Sequence, residues 1–141
     1  MGHFLQRVAR KAAWAPIAVV VLHHVAARAF GHEPYVDPVM HFLGGAAMAF
    51  FLYSASWIGR QWLGAPSRLA LDLLAFGLTC SVAIAWELGE LLSDFFLGSH
   101  TQTTAANTLR DLFLGASGAM AFIAASRVFA RRPTDQDDDY N

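Results

Sequence analysis

Residues 69–97 read LALDLLAFGLTCSVAIAWELGELLSDFFL, an apolar run longer than a membrane span requires. A bilayer core takes about 20 apolar residues of helix. Near the end of the run stand Glu87, Glu90 and Asp94, at i, i+3 and i+7. That spacing puts them on one side of a helix. Acids in such a segment are expensive, and they ordinarily face a bundle interior or a wet cavity. The stretch therefore predicts a membrane helix with a polar, functional end.

Three further segments of similar character surround it. Residues 12–30 are interrupted by His23, His24 and Arg28. Residues 39–58 carry His41 near their start, and residues 105–130 carry Asn107, Arg110 and Asp111 near theirs. Gly-, Pro- and Ser-rich breaks lie between them, at residues 31–34, 64–67 and 98–100. Composition agrees: the 141 residues are 55% hydrophobic and 15% charged, with a mean hydropathy of +0.37. Soluble domains carry nearer 25% charged residues. The single cysteine, Cys80, excludes a disulfide within the chain and a multi-cysteine zinc site. The expected fold is all-α, a polytopic membrane four-helix bundle over residues 1–132, followed by a disordered acidic tail over 133–141.

Basic residues set the expected orientation. Arg7, Arg10 and Lys11 lie before the first segment, Arg60 and Arg68 between the second and third, and Arg127, Arg131 and Arg132 at the C-terminal end. The loops around residues 33–37 and 99–104 hold no Lys or Arg. Both termini are thus expected to be cytoplasmic. A competing expectation attaches to the first segment, because Ala27-Arg28-Ala29 after a basic flank and a short apolar core resembles a signal-peptidase site. The His23-His24 pair is unusual in a signal peptide and favours a retained helix.

In this topology the costly polar residues of all four segments fall at one depth. Asp111 is expected roughly 10 Å below the start of its helix, at about 1.5 Å per residue. Histidine with several carboxylates from facing helices is ligand chemistry for zinc, manganese or iron. The expected metal ligands are His41, Glu87, Glu90 and Asp111, with Glu90 also the candidate general base. Asp37 at the rim, Asp94, Thr101, Gln102, Asn107 and His24 are the supporting polar residues. Gly45 with Ala49, and Gly115 with Ala119, are small-residue pairs that let helices approach closely.

Each residue also has a purely structural reading. His23 and His24 fit a helix end near the interface, and Asp94 fits the headgroup level of a long helix. Asp72 reads as a helix-end residue. Arg28 and Arg110 read either as snorkelling side chains or as counter-ions for the acids. His32, Glu33 and His100 read as solvated loop residues.

Two blocks of the chain resemble the YjdF-like family of bacterial inner-membrane proteins. One is Asp37-Pro38-Val39-Met40-His41-Phe42-Leu43-Gly44-Gly45. The other, residues 86–119, holds Glu87-x-x-Glu90, Gly98, Thr101-Gln102, Thr108-x-x-Asp111 and Gly118-Ala119. The resemblance implies a membrane bundle with an outward polar site, and it supplies no established reaction. Where many relatives carry further acids, this chain has Thr103, Thr104, Ala105, Ala106 and Asn107.

Three functions fit these features. The first is a metal-dependent hydrolase acting on an envelope lipid or lipid-linked substrate. The second is a small ion or proton transporter, for which the inner half offers few polar residues beyond Thr79, Ser81 and Ser117. The third is a non-catalytic membrane subunit whose polar knot locks the helices or docks a partner. Membrane lipids are the expected surroundings, and a homo-oligomer or a membrane partner fits the small-residue faces. Nucleic-acid binding has no basis, since topology accounts for the few basic residues. No Ser-His-Asp pattern or phosphate-binding glycine loop is present.

Overall fold

The computed structural model describes residues 2–30, 36–99, 101–102 and 104–129. The acidic tail, His32, Glu33 and His100 lie outside the described residues. The described residues form helices α1 (Gly2–Ala12), α2 (Trp14–Phe30), α3 (Val36–Ile58), α4 (Arg68–Leu97) and α5 (Ala105–Phe129), with a 3-10 turn at Arg60–Leu63. The architecture is all-α, with five helices. Three of them, α3, α4 and α5, are long and apolar enough to cross a membrane. At 17 residues α2 is shorter.

The first helix is an addition to the expected four. It holds Arg7, Arg10 and Lys11, which in sequence read as a charged flank, yet its Val8 and Ala12 are buried. Phe4, Val8 and Ala12 are spaced i, i+4, i+8 and form one apolar face. Between α1 and α2 the backbone nearly continues, through Ala13 N–H to Ala9 and Ile17 N–H to Ala13, both at 3.3 Å. Pro16 explains the break. It has no N–H for the Ala12 carbonyl, and its ring crowds that turn.

Side-chain contacts fix the helix directions. Trp14 meets Phe50, and Val19 lies beside Gly44, so α2 runs antiparallel to α3. Gly45 abuts Gly115, and Phe50 meets Phe122, so α3 and α5 run parallel. Arg127 pairs with Asp72, and Ala83 lies beside Gly115, so α4 is antiparallel to both. The starts of α3 and α5 and the end of α4 therefore share one end of the bundle. The 3-10 turn, the start of α4 and the end of α5 share the other.

Central α3 touches every other helix. Apart from Leu71, the uncharged core between α3, α4 and α5 is made of small groups: Gly45, Ala49 and Ser56 of α3, Ala75 and Thr79 of α4, and Gly115, Gly118 and Ala119 of α5. Large apolar side chains point outward instead, among them Leu73, Phe95, Phe96, Leu109, Phe113 and Met120. This inverted pattern is what a lipid solvent selects. Lipid provides no hydrophobic drive between helices, so close backbone packing holds them together.

Helix ends follow local chemistry. Ser67 Oγ accepts from Ala70 N–H at 3.2 Å and caps α4. Gly98, at φ 65°, ends it in the left-handed conformation that glycine adopts without steric cost. Thr104 Oγ1 accepts from Asn107 N–H at 3.2 Å and caps α5.

Candidate metal and lipid-facing site

Helices α3, α4 and α5 bring three carboxylates around His41. Its Nε2 lies 3.3 Å from Asp37 Oδ1, one turn earlier on α3, and 4.0 Å from Asp111 Oδ2 on α5. Its Nδ1 lies 3.7 Å from Glu87 Oε1 on α4. The Asp111 side chain is 1% exposed and that of Glu87 is 6% exposed. Ligand atoms of Asp37, His41 and Asp111 all fall within 4.8 Å of one another, a spacing at which they could hold one metal ion.

Other groups hold these carboxylates by their outer edges. Arg110 reaches Asp37 Oδ2 at 3.1 Å and Asp111 Oδ1 at 2.9 Å. Asn107 Nδ2 donates to Asp111 Oδ2 at 2.8 Å. The guanidinium thus joins α3 to α5 while its side chain stays 41% exposed. Asp37, equally exposed at the edge of the cluster, also reaches His41. Gln102 Nε2 donates to Glu87 Oε2 at 3.0 Å and to the Glu87 carbonyl at 2.8 Å. Glu87 Oε1 is buried and accepts no hydrogen bond from any described residue.

Asp94 organises the residues that follow α4. Its Oδ1 accepts from Thr101 N–H at 2.7 Å and from Thr101 Oγ1 at 2.9 Å, and its Oδ2 from Gln102 N–H at 2.7 Å. Ser99 Oγ also donates to it. The carboxylate holds Ser99, Thr101 and Gln102 at the end of α4, and so delivers Gln102 to Glu87.

Glu90 stands apart from this group. It accepts from Trp86 Nε1 at 2.8 Å and faces a cleft of about 580 Å³. That cleft runs between α2 and α4 over the surface of α3. Val19, Val20, Met40, Met48 and Val82 give it apolar walls, and His41, Glu90, His23, His24 and Arg28 polarise it. His24 Nδ1 is engaged with the Val20 carbonyl at 2.9 Å, so His24 lines the cleft without entering the His41 cluster.

At the opposite end, sequence reading missed a further buried acid. Asp72 is 4% exposed and pairs with Arg127 of α5. Its place little more than one turn into α4 hid it among helix-end residues. The matching signal was Arg127 at the far end of the neighbouring antiparallel helix.

Such a molecule is a multi-pass membrane protein with a buried His-carboxylate cluster near one end. The chain belongs to the predicted membrane protein family DUF2238, which it matches over residues 5–132. No curated protein and no solved structure matches it.

Proposed function

We propose that His41, Asp37 and Asp111 hold a divalent metal ion, and that the ion serves hydrolytic chemistry on an amphiphile seated in the adjoining cleft. The supporting observation is a charge imbalance that includes two buried carboxylates, Glu87 and Asp111. Asp37, Glu87 and Asp111 each lie within 4.0 Å of one imidazole, His41, and one guanidinium, Arg110, reaches two of them. Several uncompensated carboxylates repel one another, and a cation between them relieves this.

The two faces of His41 divide the work. A metal takes only one imidazole nitrogen. Nε2 faces Asp37 Oδ1 and Asp111 Oδ2, the oxygens that Arg110 leaves turned inward. Nδ1 faces Glu87, whose unpartnered Oε1 suits an accepting role toward Nδ1–H. A carboxylate behind a ligating histidine fixes its tautomer and strengthens it as a ligand. Glu87 is therefore assigned to orient His41 rather than to bind the ion. Three protein ligands leave positions open for water, as catalytic metal sites do. One imidazole with two carboxylates suits manganese, iron or zinc. The ion would lower the pKa of bound water, and Glu90, which lines the same cleft as His41, is assigned to take a proton from it.

The test is lipid mass spectrometry on vesicles of envelope lipid carrying the metal-loaded protein. New ester or phosphoester cleavage products are expected with the native chain and not with Glu90→Gln, which should keep its metal. Absence of products from metal-loaded native protein would contradict the hydrolytic reading. A second reading has its own support, because a protonated His41 facing three carboxylates would tie α3, α4 and α5 together with no metal. That knot predicts a stable, metal-free protein.

A further inference from the structure

The end of the bundle opposite His41 carries a separate notch of about 280 Å³, lined by Arg7, Lys11, Trp57, Ile58, Arg60 and Gln61. Arg7 and Lys11 are one turn apart and so share a face of α1. The apolar face of that helix, at Val8 and Ala12, is already buried. Arg60 lies over the Trp57 ring, 4.3 Å from its centroid. That stack holds the guanidinium at the mouth of the notch. Among the described residues, none of the three cations pairs with an acid. Asp72, the one described acid at this end, is taken by Arg127.

We propose that this notch binds the phosphate of an anionic lipid headgroup. Arg7, Lys11 and Arg60 supply the charge, and the Gln61 amide supplies a neutral donor. Basic pockets between helices at a membrane face recognise such headgroups. The surroundings favour a lipid over free phosphate. Trp57 and Trp62 are 45% and 59% exposed beside the notch, where amphipathic rings sit at headgroup level. Exposed Leu63 and Leu69 nearby offer an apolar bed for acyl chains. The site shares no residue with the His41 cluster and does not depend on its metal.

The experiment is native mass spectrometry of the full chain in a neutral detergent, with Asp135, Asp137, Asp138 and Asp139 included. Phosphatidylglycerol, phosphatidylcholine and inorganic phosphate are titrated separately. One tight phosphatidylglycerol per chain is expected, with no comparable binding of the other two. Each notch cation removed, in Arg60→Gln or in Arg7→Gln with Lys11→Gln, should weaken binding by about fivefold. Arg10→Gln removes the same charge from α1 outside the notch lining and should change affinity less than twofold. Equal loss with Arg10→Gln would show general surface charge and overturn the site. Equal binding of phosphatidylcholine, or of inorganic phosphate, would overturn the anionic-lipid assignment. Circular dichroism checks helicity, and if Arg60→Gln fails to fold, the Arg7 and Lys11 variant decides.

Discussion

Asp94 and Glu87 lie on the same side of α4, and each is turned toward protein, but one builds a loop and the other faces His41. Asp94→Asn should leave α4 intact and loosen Thr101 and Gln102, because a neutral amide is a weaker acceptor for their N–H groups. Faster hydrogen exchange at those two amides, with helicity unchanged, is the expected result. Unchanged exchange would show that the loop holds itself. The spacing of Glu87, Glu90 and Asp94 made their shared side legible in sequence. Their separate tasks were not, because each is set by a partner distant along the chain or in a loop: His41 for Glu87, the cleft for Glu90, and backbone N–H groups for Asp94. Asp37 and Arg110 were read individually as rim and counter-ion or snorkelling residues. Only the parallel pairing of α3 and α5 shows them as one bridge.

Contact between α3 and α5 rests on glycine without side chains. A Cβ on Gly45 would collide with the Gly115 backbone, and one on Gly118 with the Phe42 carbonyl. A Cβ on Gly115 would meet only ordinary contacts, at 3.6 Å from Ala83 Cβ and 3.9 Å from the His41 carbonyl. Gly77 has nothing within 4 Å. Gly45→Ala and Gly118→Ala should therefore each cost about 1–3 kcal/mol by overpacking. Gly115→Ala should be tolerated, and Gly77→Ala should be neutral or stabilising by up to about 1 kcal/mol. Unfolding midpoints in detergent give the comparison, and equal effects at all four positions would refute the close-approach account. The small-residue pairs announced a tight interface, but not that Gly118 would meet α3. That depends on how the two helices are rotated, which periodicity alone does not set. The apolar face of α1 was obscured by its three cations, although Phe4, Val8 and Ala12 kept a helical spacing.

At the scale of the molecule, the helix directions put the loops between α2 and α3 and between α4 and α5 at one end. Arg7, Lys11, Arg60, Arg68 and Arg127 gather toward the other. By the positive-inside rule the His41 end should face outward. In a Cys80→Ala background, His100→Cys should react with an impermeant maleimide in intact cells, and Ala65→Cys only after permeabilisation. Labelling of both from one side would contradict that orientation. The central claim is that a divalent ion sits between α3 and α5, with Glu87 behind His41, and it predicts metal content directly. Native protein, purified without chelator and reconstituted separately with manganese, iron and zinc, should carry about one ion per chain for at least one of them, as a three-ligand site implies. Glu87→Gln should bind it roughly 10–100-fold more weakly, the usual cost of removing such a partner, and Asp111→Asn should lose it. A native chain that takes up no metal under these conditions, with both variants as stable as the parent, would contradict the account.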